Sequence, residues 1–438
     1  MDIVIGIIVG LIVLTILVVL HEFGHFIMAR RNGVNVLEFG IGFPPRAIAW
    51  IKDAKTGKWR RLPRKEWTKD SASKVVFSSG EQDDFAQKGM IFSINWLPIG
   101  GFCQMDGESA ADTRKGTFGA TSFWRKTKIL FGGVMMNWLA AFVIFTILAW
   151  VGMPTFLDNQ FTIEPDTQTT FSPVKVTSIA ENSPAFKAGI KVDDEIIAID
   201  NNTVKYTSDI TTYNQSHAGK MVLYTIRRMS TVCFNQPDCY VEPCPACLEE
   251  GEAPVTSDIP VFLNPEDSEY LLGITMKSSE QLSYSTWSAP IVGAGLTLQL
   301  TGETFRGLGE MIWNLIRGTG SLFSLDANVR EEGKEVISSV GNSVSGPVGI
   351  IGVLFPAFTS AGLTNLAFLT ALISVSLACM NVLPIPALDG GRWLLIAIYK
   401  LRRKKLTKET EEKIVTRAFL VLLVLMLIVT ILDITRFF

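Results

Sequence analysis

The two ends of the chain carry long apolar runs, and these runs constrain the fold more than any other feature of the sequence. From Ile3 to Leu20 only Thr15 and glycines interrupt the aliphatic residues, and a similar run extends from Phe419 to Ile431. With their apolar neighbours, both runs are long enough to cross the hydrocarbon of a bilayer as helices. Hydrophobic residues make up 48% of the chain, and that excess lies largely in such runs. The sequence therefore predicts a membrane protein with a more polar middle.

Four membrane helices in one orientation are expected from the apolar segments and the charges between them. Two further apolar segments cover about residues 129–153 and 363–388, and the last run widens to about 414–437. The first run is too long for a signal peptide and lacks a small-residue cleavage site, so it should be retained. Basic residues follow the first and third segments, which predicts cytoplasmic loops there and both chain termini on the outer side. They are Arg30, Arg31, Lys52, Lys55, Lys58, Arg60, Arg61, Arg64 and Lys65 after the first segment, and Lys400, Arg402, Arg403, Lys404 and Lys405 after the third.

The balance of charge argues against a nucleic-acid partner. The chain has 40 basic and 42 acidic residues, for a formal net charge of -2. Binding to a phosphate backbone needs a clustered basic excess, which a balanced chain lacks. We therefore expect the lipid bilayer, and no nucleic acid, among its partners.

An H-E-x-x-H pattern lies at the end of the first apolar run, as His21, Glu22 and His25. Histidines four residues apart lie one above the other on a helix face, so both imidazoles can reach one zinc ion while the glutamate points at a bound water. Zinc lowers the pKa of such a water to about 7, and the glutamate can take its proton for attack on a carbonyl. The pattern indicates peptide hydrolysis with Glu22 as the general base.

The alternative is a chance pentapeptide on a helix surface. The chain has three histidines, and two of them stand in this pattern, whereas His217 lies far away in the polar middle. Charged groups at the centre of a bilayer cost about 2.5 kcal/mol or more, so they usually persist because they serve a function. Both observations favour zinc ligation.

A catalytic zinc site needs a third protein ligand and leaves the fourth position to water. Near the end of the third apolar segment the chain reads Asn381-Val382-Leu383-Pro384-Ile385-Pro386-Ala387-Leu388-Asp389-Gly390-Gly391. The prolines and glycines break the helix, and irregular backbone at membrane depth implies burial in protein or a wet cavity. Asp389 is the candidate third ligand. Taken alone, the element is more typical of an ordinary helix end capped by Asp389.

The two motifs together resemble the site-2 protease family of intramembrane zinc metalloproteases, particularly its bacterial branch that cleaves anti-sigma factors. That family combines H-E-x-x-H in its first core helix with N-x-x-P-x-P-x-L-D-G in a later one, and both occur here in that order. The resemblance implies that His21, His25 and Asp389 bind one catalytic Zn2+, that Glu22 is the general base, and that Asn381 contacts the substrate. It also implies that the substrates are single-span membrane proteins.

Further matches extend the resemblance along nearly the whole chain. Residues 39–44 and 97–102 resemble a β-rich loop that dips into the membrane toward the active site. In the family this loop offers a strand edge, to which an unwound substrate segment could add by main-chain hydrogen bonds. About forty polar residues after Ile51 resemble an insertion in this loop.

Two shorter segments match other parts of the family. Residues 123–126, followed by Gly133 and Asn137, resemble its second core helix, although Val134 stands where the family usually has proline. Residues 345–349 resemble its later Gly-Pro element. The resemblance assigns neither segment a chemical role.

A soluble module is expected from about Pro173 to Met276, where the sequence alternates in the manner of strands. Residues 182–200 resemble the core of a PDZ domain, with the ends of a short helix at 183–189 and then the period-two aliphatics of a half-buried strand. Asp193 replaces a glycine that is common in PDZ domains. Such domains bind peptide termini by strand addition, whereas in this family the domain is thought to exclude substrates with large external parts. Both interpretations stay open.

Four cysteines lie close together within this module, at Cys233, Cys239, Cys244 and Cys247. On the oxidising side of a membrane two disulfides would stabilise such an insertion, and their pairing cannot be deduced. A structural zinc site is the alternative, but the C-x-x-C pair lacks a second such pair. Cys103 and Cys379 are expected to pack in apolar surroundings.

Between Ala289 and Gly318 apolar residues recur at helical spacing among Thr, Glu, Arg and Gly. This pattern predicts amphipathic helices on the membrane surface. They could control substrate access or anchor the PDZ-like module to the membrane.

The predicted fold is a polytopic α-helical membrane protein with about four transmembrane helices, a membrane-associated β-rich loop and one extracytoplasmic β-rich PDZ-like domain. The protein is expected in the bacterial inner membrane as a zinc endopeptidase of regulated intramembrane proteolysis, cleaving anti-sigma-factor-like substrates or signal-peptide remnants. The expected boundaries are 1–29 for the first helix, 30–128 for the cytoplasmic β-rich loop, 129–153 for the second helix, 172–278 for the PDZ-like domain with its insertion at 233–247, 289–345 for the surface helices, 363–391 for the third helix and 414–437 for the fourth.

Two functions without proteolysis compete with this interpretation. A PDZ scaffold or membrane chaperone could retain zinc for structure, but a structural site has no need of Glu22 and would fill its fourth position with Cys or His. A metal transporter would need polar ligands along several helices, and these apolar segments contain almost none.

Overall fold

The computed structural model of the chain describes residues 2–52, 57–62, 90–109, 112–157, 159–171, 173–233, 250–265, 268, 270–277, 281–324, 326–343 and 346–437. It contains two compact units. The helical unit comprises Met1–Val151, Phe161–Asp166 and Ser285–Phe438, and the β-rich unit comprises Gly152–Gln160 and Thr167–Tyr284.

Helices and strands are numbered along the chain within these described residues. The helices are α1 Asp2–Arg31, α2 Phe123–Val151, α3 Pro184–Ala188, α4 Thr207–Ser216, α5 Ala289–Leu322, α6 Ala327–Ser343, α7 Pro347–Ala361, α8 Leu363–Val382, α9 Asp389–Leu401 and α10 Lys408–Phe437. The strands are β1 Val36–Lys52, β2 Trp59–Arg61, β3 Met90–Met105, β4 Met153–Pro154, β5 Gln168–Phe171, β6 Val174–Ile179, β7 Glu195–Ile199, β8 Asn202–Thr203, β9 Met221–Cys233, β10 Glu250–Phe262, β11 Ile274–Lys277 and β12 Gln281–Tyr284.

Four helices, α1, α2, α8 and α10, are long and apolar enough to cross a membrane, which confirms the predicted number. Three boundaries clearly differ from the expected ones, and one of them is the start of α10, which lies at Lys408 rather than near residue 414. Helix α2 begins at Phe123 rather than near residue 129, because the basic turn before the apolar segment is also helical. Helix α8 ends at Val382, and Asp389 opens the separate helix α9 instead of closing the third span.

Helices α1 and α2 cross at glycines. Gly24 of α1 faces Gly132 and Gly133 of α2, and a Cβ on Gly132 would lie 2.7 Å from the carbonyl oxygen of Gly24. Small residues at such a crossing let the two backbones approach more closely than larger side chains would allow. This crossing sets the distance between α1 and α2 next to the H-E-x-x-H motif.

The first β-sheet lies in the helical unit and forms from two long strands that fold back on each other. Phe39 of β1 pairs with Cys103 on one arm of β3 and with Phe92 on the other arm, and β2 extends the sheet at the far end of β1. A buried ion pair between Glu38 and Arg46, joined by the Ser93 hydroxyl, links the strands. At the turns the apolar side chains are exposed: Phe43, Trp96, Leu97 and Ile99. The β-rich loop expected from the sequence is thus present, whereas most of its polar insertion lies outside the described residues.

The segment between α8 and α9 brings Asp389 back toward the bundle. Leu383 N–H bonds to Met380 at the end of α8, and Leu388 N–H bonds to Ile385 within the connection. Gly390 and Gly391 pack directly against carbonyl groups of this connection, where a Cβ would collide with backbone. The turn is therefore tight because both residues after Asp389 are glycines.

The amphipathic pattern predicted that helix α5 lies on the membrane surface. In the structure α5 also packs against membrane helices. Gly293 of its first half packs against α2, where a Cβ would lie 2.9 Å from Thr146 N. Farther along, Thr301 and Thr304 contact the thiol of Cys379 in α8. The apolar stripe of the first half of α5 thus covers neighbouring helices, while the second half packs against α6.

The β-rich unit contains a six-stranded sheet in the order β10-β9-β7-β6-β11, with β8 paired to β7. The predicted short helix is α3. Ser183 caps its N-terminus through a hydrogen bond from Phe186 N–H, and Gly189 ends it at a φ of 85°. Behind it the buried carboxylate of Asp194 accepts two hydrogen bonds from Arg228, which holds α3's following loop to β9. The cysteine cluster cannot be followed, since the side chain of Cys233 and all of Cys239, Cys244 and Cys247 lie outside the described residues.

Helix α10 carries a buried carboxylate near its C-terminus. Asp433 is 2% exposed and accepts hydrogen bonds from Gly346 N–H at 3.1 Å and Gly349 N–H at 2.9 Å. These donors belong to the start of α7, where the first amides of a helix have no partner within the helix. The Gly-Pro element at 346–349 therefore fixes α7 to the last membrane helix.

We expect Asp433→Leu to lower the stability of the protein by about 1–3 kcal/mol, because both amides lose their acceptor in a buried position. Asp433→Asn retains one acceptor oxygen and should lose less. Thermal unfolding of the detergent-solubilised protein checks this order. A leucine variant as stable as wild type would show that the two amides find other partners.

Candidate metal centre

The H-E-x-x-H motif lies on the last turns of α1, where the helix is buried by α2 and the first sheet. His21 and His25 are both buried, and their Nε2 atoms are 3.1 Å apart. The helix places residues four apart one above the other, so both rings face the same point. This is the arrangement that the sequence spacing predicted.

Asp389 completes a triangle of ligand atoms. Its Oδ2 lies 3.1 Å from His21 Nε2 and 3.2 Å from His25 Nε2. Two imidazoles and one carboxylate are a common donor set for catalytic zinc, and bonds of about 2.1 Å in tetrahedral geometry would separate such ligand atoms by about 3.4 Å. The three atoms therefore fit a zinc ion with little rearrangement. Within the described residues no other group of three such side chains comes together in this way.

The outer nitrogen of His25 is held by the backbone. Its Nδ1 lies 2.9 Å from the carbonyl oxygen of Ile129 in α2. A carbonyl can only accept, so Nδ1 carries the proton and Nε2 keeps its lone pair for a metal. Such contacts orient metal-binding histidines and fix their tautomer.

Glu22 is oriented by the sheet rather than by a neighbouring helix. The backbone N–H of Cys103 in β3 donates to Glu22 Oε2 at 3.0 Å. Seven residues before Glu22, about two turns earlier in α1, Thr15 Oγ1 donates to the carbonyl oxygen of Pro98. Strand β3 thus follows α1 over about 10 Å of helix, and it reaches the motif at the glutamate.

Gly133 forms the wall of the site on the side of α2. A Cβ at this position would lie 2.6 Å from His25 Nε2 and 2.6 Å from His21 Cε1. Glycine is therefore required for the two rings to pack against α2, and the position serves the site without carrying a reactive group.

The remaining candidates lie apart from the ligand triangle. Asn381 donates from Nδ2 to the carbonyl oxygen of Leu377, one turn earlier in α8, and no contact with the three ligands is described for it. Cys103 is buried, and burial, together with the charges of Glu22 and Glu108, raises the pKa of its thiol. Cys103 therefore packs as a neutral thiol, as expected from the sequence.

Sequence reasoning missed three parts of this site. It gave no role to Gly133 or to the backbone of Cys103, and it named Asn137 only as a point of resemblance. Asn137 is fully buried in α2, and its Nδ2 lies 3.4 Å from His21 Nδ1. A buried amide in an otherwise apolar helix is costly, and that cost was the one signal in the sequence.

The fold and the donor set fit a membrane-embedded zinc metalloprotease, and comparison with known proteins agrees. Residues 9–61 and 83–426 match the model of peptidase family M50. A Clostridium acetobutylicum protein whose name assigns it to the zinc metalloproteases is 26% identical over 432 residues, which cover 98% of this chain and 97% of that relative. The protease Eep of Enterococcus faecalis is 26% identical over 478 residues and covers 98% of each chain. The regulator of sigma-W protease RasP of Bacillus subtilis is 24% identical over 477 residues, again covering 98% of each.

Because the family model matches most of its length, the chain belongs to peptidase family M50, the site-2 proteases. It is a zinc metalloendopeptidase, with Zn2+ as its cofactor. The family expected from the two sequence motifs is confirmed.

Gly133→Ala should weaken zinc binding roughly 10–100-fold, the range found when the groups around metal ligands are disturbed. The added methyl group would push His21 and His25 apart from Asp389. Zinc affinity, measured in competition with a chelator, checks this expectation. Gly302→Ala in α5 is the matched control, because nothing lies within 4 Å of a Cβ there. Equal affinity in both variants would mean that the rings have room to shift.

Proposed function

We propose that His21, His25 and Asp389 hold the catalytic zinc ion and that Glu22 is the general base for hydrolysis of a peptide bond within or beside the membrane. The convergence of the three ligand atoms within 3.1–3.2 Å of one another, next to Glu22, carries this proposal. A zinc ion held there would polarise the scissile carbonyl and make a bound water more acidic. The assignment of individual roles follows from the chemistry of each side chain.

The carboxylate of Glu22 takes a proton from the attacking water and later gives it to the leaving amine. It must be ionised for the first transfer, it carries the proton for the second, and it must be fixed in direction for both. The N–H of Cys103 supplies a donor for one carboxylate oxygen, which leaves the other oxygen for the water. Strand β3 therefore orients the base without carrying a reactive side chain of its own.

A substrate helix has to unwind before cleavage, since its own hydrogen bonds and side chains shield the scissile carbonyl. We infer that an extended substrate segment docks along β3 by main-chain hydrogen bonds. This strand runs beside α1 from Pro98 to Cys103, where its backbone N–H contacts Glu22. An extended segment aligned with it would bring a peptide bond to the base. Asn381 of α8, which matches the asparagine of the family motif, is proposed to contact the same segment.

The substrates we propose are single-span membrane proteins, with anti-sigma-factor-like proteins as the first class. One relative is named for regulating sigma-W, which supports this class. A first protease would trim the external part of the substrate, and this enzyme would then cut the membrane segment and release a cytoplasmic fragment. Remnants of signal peptides are a second class, because they also present a short apolar helix with little outside the membrane.

The proposed location is the inner membrane of a bacterium, with the basic loops after α1 and α9 in the cytoplasm. This places both termini and the β-rich unit outside. We further propose that the β-rich unit is a PDZ-like domain, which the capped helix α3 and the strand β7 support. Strand β11 lies at one edge of its sheet, and an edge strand is where a peptide terminus can add.

Glu22→Gln should retain zinc and lose cleavage by about 10²–10⁴-fold, because the amide cannot take the proton of the water. Cleavage of a tagged single-span reporter in membranes and zinc content of the purified protein are measured together. Glu303→Gln, at an exposed glutamate of α5, is the matched control and should cleave like wild type. If wild type and Glu22→Gln both hold zinc and neither cleaves a range of reporters, a zinc-stabilised scaffold becomes the better account.

The role of the β-rich unit is tested with reporters that differ only outside the membrane. If the unit excludes large ectodomains, a reporter with a folded external domain should resist cleavage until that domain is removed. If the unit binds substrate instead, a free peptide with the sequence of the trimmed external terminus should inhibit cleavage of the short reporter. Cleavage of both reporters at equal rates, with no inhibition by the peptide, would contradict both roles.

A further inference from the structure

Asn137 lies at the centre of α2 with its side chain directed at the proposed metal site. The residue is fully buried, and its backbone carbonyl accepts a hydrogen bond from Ser374 Oγ of α8 at 2.8 Å. The amide group is 3.4 Å from Nδ1 of His21, measured to Nδ2. Two helices therefore fix the position of Asn137, and its side chain reaches the outer nitrogen of one metal ligand.

The hydrogen bonding of this amide is incomplete in its present orientation. Asn137 Oδ1 is buried and has no partner among the described residues. Meanwhile Nδ2, which can only donate, faces the ring nitrogen of His21. The oxygen and nitrogen of an amide have nearly the same size, so turning the group by half a revolution exchanges them without a steric cost.

The state of His21 decides which orientation is needed. Nε2 of His21 faces Asp389 Oδ2 and His25 Nε2, so this nitrogen must present a lone pair when a metal is bound. The ring is then neutral with its proton on Nδ1, and Nδ1–H needs an acceptor. An amide oxygen supplies one, whereas the Nδ2 group would place two donors face to face.

We propose that Asn137 is a positioning residue, whose amide oxygen accepts the Nδ1–H of His21 when the site holds zinc and so orients the ring for metal binding. The inference rests on the proposed zinc ligands. In the other orientation Nδ2 donates to an unprotonated Nδ1, which suits a ring that shares its Nε2–H with Asp389. Asn137 thus turns with metal loading and serves both tautomers of His21.

The two histidines differ in this respect. The outer nitrogen of His25 faces the backbone carbonyl of Ile129, which can only accept. That ring is therefore held in the zinc-binding tautomer at all times. His21 has an amide in the same place, and an amide is neutral, which avoids the cost of a carboxylate at membrane depth. The tautomer of His25 is therefore fixed, whereas the tautomer of His21 can change.

The test compares Asn137→Leu, which removes the acceptor, with Asn137→Asp, which keeps an oxygen in the same place. Zinc affinity of the full-length protein in detergent is measured in competition with a chelator, together with thermal unfolding of the metal-free protein. We expect Asn137→Leu to bind zinc about 10–100-fold more weakly and Asn137→Asp to bind at least as tightly as wild type. Asn365→Leu, at another buried asparagine in α8, should leave zinc affinity unchanged.

The inference is overturned if Asn137→Leu binds zinc within twofold of wild type, or if Asn137→Asp loses as much affinity as Asn137→Leu. The latter result would mean that Asn137 only fills space or donates. If the wild type binds no zinc and His25→Ala behaves like it, the proposed metal site itself is wrong. Should Asn137→Asp not fold, the wild type loaded with Co2+ and labelled with 15N-histidine decides: His21 without a proton on Nδ1 overturns the proposal.

Discussion

The close approach of α1 and α2 is the constraint on which the rest of the site depends. Gly24 and Gly132 bring the two backbones together, and Gly133 at the same crossing leaves room for the rings of His21 and His25. Larger residues at this crossing would move α2 outward, and Ile129 and Asn137 would move with it. The outer nitrogens of both histidines would then lose their partners. The helix packing therefore determines hydrogen bonding at the site as well as its shape.

Three polar groups at this depth are each paired with a different element. His25 uses a backbone carbonyl of α2, Glu22 uses a backbone N–H of β3, and Asp389 faces the histidines from the start of α9. In an apolar surrounding an unpaired group of this kind costs several kcal/mol. Because three elements meet at one point, the loss of any one of them exposes unpaired groups on the others. This interdependence explains why an irregular connection between α8 and α9 is tolerated.

The residues with chemistry were visible in the sequence, and their surroundings were not. The spacing of His21 and His25 predicted a shared face of one helix, and the proline-glycine element identified Asp389 as a polar residue in an unusual backbone. No sequence pattern indicates that the backbone N–H of Cys103 points at Glu22, because its direction depends on the register of β3 against β1. The packing of α5 against α2 and α8 could not be predicted from the sequence either. An amphipathic pattern indicates that one face is covered but does not indicate what covers it. The break at Val382 was signalled by the prolines, yet the new helix at Asp389 depended on the glycines that follow.

The last membrane helix is attached to the protein at its two ends. Near its start the buried Glu411 accepts a hydrogen bond from Ser109 Oγ, and near its finish Asp433 binds the amides before α7. Between them only 6% of the residues in the most apolar stretch of the helix are buried within the protein. Its side chains there are therefore free to change as long as they remain apolar and the distance between the two carboxylates is kept. The middle of α10 acts as a spacer whose length is matched to the bilayer, so lipid thickness, rather than protein packing, limits its sequence.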